Sequence, residues 1–340
     1  MCASAFGEGQ KVVLFGILAL WIIWWFAVFV HEGGHAIAAA LVGWRTLVFA
    51  VKPLAWNGLT RRLGWARRTD NADLGGWVIA IPRYPAAIAR GRYAWFVAGG
   101  PLANAILAVA AYWAASSWLP IYDRPGFSVS TLVGTTSFAS GLLAIFNLFP
   151  SARPGVLSDG DNLRRVRRSD AAWHEKIAIG SLGAMVRYGA RPRDRPQWML
   201  DALRSMDSRE AAMAAAGMEI SAALDAPPID VVRVRAMITM FGDEYGNNQW
   251  LSSCDAYLAA VWENDVVHAR AVRWMGESSE DQLPLTLAVN AAIAAREGDR
   301  DTAMDFLRRM RIAARAEPWM ELVFRDIDRQ VGALVPRSDH

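Results

Sequence analysis

The sequence predicts a mainly α protein in two parts: a polytopic membrane helical bundle of three spans with a small β-hairpin-like loop at the membrane edge, then an all-α helical-repeat domain. Three observations predict it. Hydrophobic residues make up 54% of the 340 residues against 20% charged, and the mean hydropathy is +0.15, both unusual for a wholly soluble chain. Three long runs within the first 150 residues carry no charge. Beyond them the chain becomes alanine-rich with a helical period, and one segment repeats at a shift of 34 residues. The expected boundaries are 1–170 for the membrane core, 171–198 for an amphipathic segment and linker, and 199–335 for the helical domain.

The first uncharged run is Val12 to Val30. About 20 apolar residues cross a bilayer core, and the run exceeds the roughly 7–15 residues of a signal-peptide core. It reads as a retained helix continuing to about Trp44, so the first span is 12–44. Trp21, Trp24 and Trp25 lie within it, suited to an interface or to lipid. The second span is 95–119 and the third 126–150. Ser128, Ser130, Thr131, Thr135, Thr136, Ser137 and Ser140 suit the third to packing against other helices.

Basic residues orient the bundle. The loop between the first two spans holds nine Lys or Arg (from Arg45 to Arg92) against Asp70 and Asp73, and "NLRRVRRS" follows the third span. The positive-inside rule therefore places this loop and the C-terminal domain in the cytoplasm and the N-terminus outside. The Ala-, Arg- and Trp-rich composition points to a bacterial inner membrane. A net charge of only +3 implies no nucleic-acid partner. Cys2 and Cys254 are too few and too distant for a disulfide framework or a cysteine metal site, and are expected to be free thiols.

Inside the first span lies "FVHEGGHAIAAAL", with His31, Glu32 and His35 in an H-E-x-x-H pattern. Histidines at i and i+4 share a helix face and can bind one ion. In zinc hydrolases of this pattern the glutamate is the general base. Ionisable residues at membrane depth are costly and mark function. Gly33 and Gly34 would let another backbone approach closely. A third ligand is available in "FNLFPSARPGVLSDGDNLRR", where Asp159 and Asp161 both qualify by spacing. One Zn2+ per chain would offset Glu32 and the ligating aspartate. In the second span, "FVAGGPLANAILA" combines Gly99, Gly100 and Pro101 with Asn104 one turn later.

H-E-x-x-H in an apolar helix, G-P-x-x-N in the next span and N-x-x-P…D-G in the third occur together in order. With these elements the chain from Val12 to Arg165 resembles the site-2 protease family of intramembrane zinc metalloproteases (peptidase M50-like). The resemblance implies that His31, His35 and Asp159 are zinc ligands and Glu32 the catalytic base and acid. It also places Asn104 and Asn147 beside the site, holding substrate or the oxyanion. The implied activity is cleavage of single-span membrane proteins within the bilayer. The sequence departs from the family pattern in reading Ser158-Asp159-Gly160 where the family usually has leucine first, and in a longer segment between Pro150 and Asp159. "TLVFAVKPLAW" and "GGWVIAIPRY" read as short strands. Trp77 to Ile81 is expected to offer an edge strand to unwound substrate.

"VRYGARPRDRPQW", near 186–198, reads as the linker. Beyond it, segments starting at Ala256 and Asn290 align at the 34-residue shift, matching Glu263 with Glu297, Asp265 with Asp299 and Ala269 with Ala303. That is the tetratricopeptide period. Ala211 to Phe241 looks helical but does not keep the register. Such a surface suits a protein or peptide partner. His174, His268 and His340 are isolated and expected to be satisfied or exposed rather than ligands. The rival to a protease is a zinc-containing membrane scaffold acting through its helical tail. The intact Glu32 favours the enzyme.

Overall fold

The computed structural model describes residues 8–66, 75–119, 128–150, 152–153, 156–168, 173–188, 190–225, 228–273, 284–316 and 318–335. It divides into two compact units, Met1–Ile177 and Ala178–His340.

In the first unit, α1 (Glu8–Leu41), α2 (Arg90–Ser117) and α3 (Val129–Leu148) form the bundle. All three are long and apolar enough to cross a membrane. The helix α1 stops at Leu41 rather than Trp44, because Gly43 turns the chain with a φ of +81° into a strand. Ser128 caps α3 by accepting from the Thr131 backbone N–H at 3.1 Å. The outward faces carry large apolar side chains such as Phe15, Trp21, Ile106 and Phe138, all exposed. Among the described residues, the stretches Val13–Val30, Trp95–Ser117 and Val129–Leu148 of these helices contain no charged side chain.

Four strands, not two, fill the loop between α1 and α2. They are β1 (Trp44–Val51), β2 (Leu54–Asn57), β3 (Arg62–Trp65) and β4 (Gly76–Pro82), in the antiparallel order β3-β2-β1-β4. The stretch read as one strand, Thr46 to Trp56, is itself a hairpin that turns at Lys52–Pro53, with Val51 opposite Leu54. β4 pairs with β1, Ala50 opposite Trp77, and forms one edge of the sheet. Buried Leu47, Ala50, Val51, Trp77 and Ile81 form its core. Trp25 ties the sheet to α1 by donating its indole N–H to the Lys52 carbonyl at 2.9 Å. The extra residues after Pro150 form a two-stranded hairpin of β5 (Ala152–Arg153) and β6 (Val156–Leu157) leading into α4 (Asp159–Arg168).

The second unit begins within α5 (Trp173–Arg187) and continues through α6 (Gln197–Arg204), α7 (Arg209–Leu224), α8 (Val231–Tyr245), α9 (Gln249–Tyr257), α10 (Val266–Val272), α11 (Pro284–Arg296), α12 (Arg300–Ala316) and α13 (Pro318–Gly332). A π-helical stretch, Leu258–Glu263, extends α9. The residues read as a linker lie inside this unit: Tyr188 and Ala190 are buried, and Arg191 is ion-paired with Asp225 and Asp326.

The 34-residue repeat corresponds to two helical hairpins, α9–α10 and α11–α12. Each turns on one left-handed residue, Asn264 with φ 57° and Gly298 with φ 80°. The aspartate after each caps the next helix: Asp265 accepts from the His268 N–H at 2.9 Å and Asp299 from the Thr302 N–H at 3.1 Å. Ala269 and Ala303, four residues on, are both fully buried. The pair α7–α8 is built alike, with Asp230 accepting from the Arg233 N–H and Val234 fully buried. Asp230 precedes Asp265 by 35 positions rather than 34, which is why the sequence comparison lost the register there.

Among the described residues Cys254 is a buried free thiol, and His268 is bonded to Asp255 at 3.1 Å. Cys2, His340 and the side chain of His174 lie outside the described residues.

Candidate metal centre

One helix supplies the first two donors. His31 and His35, one turn apart on α1, place their Nε2 atoms 3.2 Å from each other. Asp159, the first residue of α4, brings Oδ2 to 3.1 Å from His31 Nε2 and 3.4 Å from His35 Nε2. These three residues could hold a metal ion, their ligand atoms all lying within 4.8 Å of one another. A tetrahedral ion with bonds of about 2.0–2.1 Å sets its ligands about 3.3 Å apart, and the three separations bracket that value. Burial pushes the Asp159 carboxyl up, but hydrogen bonds from His31 and His35 outweigh it and hold the group below the ordinary carboxylate range.

Asp161, the rival ligand, faces elsewhere. Its carboxylate accepts from Arg165 Nε at 3.1 Å, one turn along α4. Ser158 explains the choice between the two. Its hydroxyl accepts from the Asp161 backbone N–H at 3.2 Å and donates to the Phe149 carbonyl at 2.8 Å, so the serine both caps α4 and fixes it to the end of α3. Gly160 is required by the same contact, since a Cβ there would stand 1.9 Å from the Leu148 carbonyl oxygen.

The second ring nitrogens of both histidines have partners. His35 Nδ1 lies 2.9 Å from the Phe96 carbonyl, and His31 Nδ1 lies 3.3 Å from Asn104 Nδ2. Such contacts orient a ligating imidazole and fix its tautomer. Sequence reasoning had no signal for Phe96, whose contribution is a backbone atom. Asn104 is fully buried, and its place is behind His31. Asn147, near the end of α3, donates from its amide to the Leu143 carbonyl at 3.0 Å.

Glycines let the backbones converge. A Cβ on Gly34 would stand 2.3 Å from the Gly99 carbonyl oxygen, so α1 and α2 touch main chain to main chain there. Gly33 meets nothing within 4 Å and plays no part in that contact. At Gly100 a Cβ would lie 2.3 Å from His35 Nε2 and 2.7 Å from His31 Nε2. Only a glycine leaves room for the two imidazoles. Pro101, next in line, removes the N–H that would bond the Val97 carbonyl and weakens α2 at that level.

Glu32 is buried beside the donors. Gly76, at the start of β4, packs against it: a Cβ there would come within 2.7 Å of Glu32 Cγ and 2.9 Å of Oε1. The sheet edge therefore runs past the glutamate, a relation absent from the sequence pattern. No protein-family model, curated protein or solved structure matches this chain.

Proposed function

We propose that this chain is an intramembrane zinc endopeptidase of the site-2 protease type. It would hydrolyse a peptide bond in or near the transmembrane segment of single-span membrane proteins. The observation that carries the reading is the convergence of Asp159 of α4 on His31 and His35 beside a buried Glu32, these three lying on a helix apolar enough to cross a membrane. The nitrogen and oxygen donors and their separations fit zinc with one position left open. When bound there, zinc supplies Lewis acidity to a peptide carbonyl and acidity to water.

The chain's own residues supply the rest. Glu32 takes the proton from the attacking water and returns it to the departing amide nitrogen. Asn104 and Phe96 hold the imidazoles, and Asn147 is assigned to the substrate. A helical substrate hides its carbonyls, so the scissile segment must unwind. The end position of β4 in the sheet, with its start beside Glu32, supports capture of that segment as an added strand along Trp77 to Ile81. A cavity of about 560 Å³ between α2, α3 and α4, lined by apolar side chains and by Pro101 next to Gly100, offers room for the flanking apolar residues. The arginines of the first loop and of "NLRRVRRS" support a cytoplasmic site and a cytoplasmic second unit, whose tetratricopeptide-like hairpins would take a protein or peptide partner.

Zinc per chain, measured on detergent-purified protein, tests the centre. Wild type should hold one, His35→Ala and Asp159→Ala none, and Asp161→Ala the full complement. A folded, metal-free wild type would overturn the reading. Glu32→Gln should keep the metal, stop cleavage and retain uncut single-span proteins. If metal is kept and no such protein is ever retained or cut, the scaffold reading takes its place.

A further inference from the structure

The second unit holds a half-open cavity of about 870 Å³ between α5, α7, α9 and α13. That volume falls within the range of small-molecule sites. Its body is apolar, with Leu182, Met218, Leu224, Trp250 and Ile327 among the lining residues. Three guanidiniums (Arg191, Arg195 and Arg329) share it with two carboxylates, Asp225 and Asp326. Arg191 takes both carboxylates, 2.7 Å from Asp326 and closer still to Asp225, and Arg329 lies 3.8 Å from Asp326. Arg195 is left without an ion pair among the described residues, and its Nε is buried with no hydrogen-bond partner. Burial pushes Arg195 down to about 10, with Asp225 opposing, which leaves it charged at neutral pH.

A second donor lining the same cavity is orphaned. Gln249 Nε2 is buried with no partner. The wall's hydroxyls, by contrast, are already engaged within the protein: Tyr257 donates to Gln330 Oε1 at 2.6 Å, Ser221 to the Gly217 carbonyl at 2.9 Å and Ser253 to the Gln249 carbonyl at 2.8 Å. Buried donors without acceptors are rare in folded proteins. Two of them in one apolar cavity, one of them on a guanidinium with no ion pair among the described residues, call for a ligand with a single anionic acceptor group and an apolar body. A peptide would bring many backbone polar groups that these walls cannot satisfy.

We propose that this cavity is a binding site for a long-chain monocarboxylate, whose head pairs with Arg195 and Gln249 and whose tail fills the apolar body. The site is separate from the metal centre and does not depend on proteolysis.

The test uses the full chain in nanodiscs with diazirine-tagged palmitic acid, and the same-chain tagged alcohol as the uncharged control. Photolabelling by the acid should map to peptides of α7 and α9. Arg195→Met should lower it about tenfold, as expected for loss of a charge-assisted hydrogen bond, and Arg195→Lys should restore most of it. Ala214→Trp, which fills the cavity and leaves the charge in place, should block it. The alcohol should label these peptides weakly in every variant. Label confined to α1, α2 and α3, or label unchanged by Arg195→Met and Ala214→Trp, would overturn the proposal. So would displacement by an apolar peptide with a free C-terminal carboxylate but not by untagged palmitate, which would assign the cavity to a protein terminus.

Discussion

Asn104 places its amide nitrogen 3.3 Å from His31 Nδ1 while its own carbonyl oxygen is buried without a partner. A histidine that ligates through Nε2 carries its proton on Nδ1 and needs an acceptor there. Turning the amide end for end satisfies both groups, and amide orientation is set by such networks. Asn104→Leu should therefore weaken metal binding about 10- to 100-fold, with Asn104→Asp much nearer wild type. Competition with a zinc chelator measures both.

Gly100→Ala puts a methyl group 2.3 Å from His35 Nε2. Alanine is the better helix former, so helicity by circular dichroism should hold or rise. Metal content should nonetheless fall to that of His35→Ala. Normal zinc in Gly100→Ala would mean that the two imidazoles do not converge against Gly100 when metal binds.

At Gly76 the metal and the chemistry should separate. A Cβ there meets Glu32 and also the Ala50 carbonyl oxygen at 2.9 Å, so either the glutamate or the strand must move. Gly76→Ala should keep one zinc and lose at least about tenfold in cleavage rate, a change of about 1.4 kcal/mol in the barrier. Equal loss of zinc and cleavage would show instead that the sheet supports the ligands.

Ser158→Ala removes the cap of α4 and its tie to Phe149. Loss of a serine cap costs about 1 kcal/mol. Here it should appear as weaker metal binding, because Asp159 begins the helix that the cap fixes. Ser158→Asp, which restores an acceptor at the cap, should recover part of it.

In the second unit the left-handed turn residues make opposite predictions. Gly298→Val should destabilise by about 1–2 kcal/mol, since its φ of 80° suits only glycine well. Asn264→Gly should be close to neutral. Thermal unfolding of the two variants separates them. The Asp299 carboxyl next to that turn is held below the ordinary range by the Thr302 hydroxyl and backbone N–H. A lowered value stabilises the fold above the unfolded-state pKa and loses that contribution as pH falls through the folded-state value. Asp299→Asn should keep the cap and flatten the acid limb of the stability curve.

The three long apolar helices were legible within a few residues because uncharged runs of this length have few other causes. The histidines were legible because a four-residue spacing on a helix has one geometry. Asp159 and Asp161 were not separable by composition. At about 100° per residue they project roughly 200° apart, so only one can face α1, and Ser158 decides which. The sheet was read short because Thr46 to Trp56 hides a turn within an apolar run, and Arg62 to Trp65 is only four residues long with Gly64 among them. The third helical hairpin escaped because one extra residue shifts Asp230 out of the 34-residue frame, although its cap and its buried Val234 keep their spacing. Asn104 was found by motif and placed by structure. Its burial behind His31 follows from how α1 and α2 cross, which no local pattern encodes.

His31 and Asp159 are separated by 128 positions along the chain. An ion held between them would be a removable rivet through α1 of the bundle and α4 beyond it. Drawing it out would free α4 from α1 at one point, while the Ser158 and Gly160 contacts would still hold α4 to α3. Depletion should thus register as faster amide exchange in the first turn of α4, with α1, α2 and α3 themselves unchanged. The catalyst and the latch would be one object, and a cell short of metal would hold this protein assembled but unlocked.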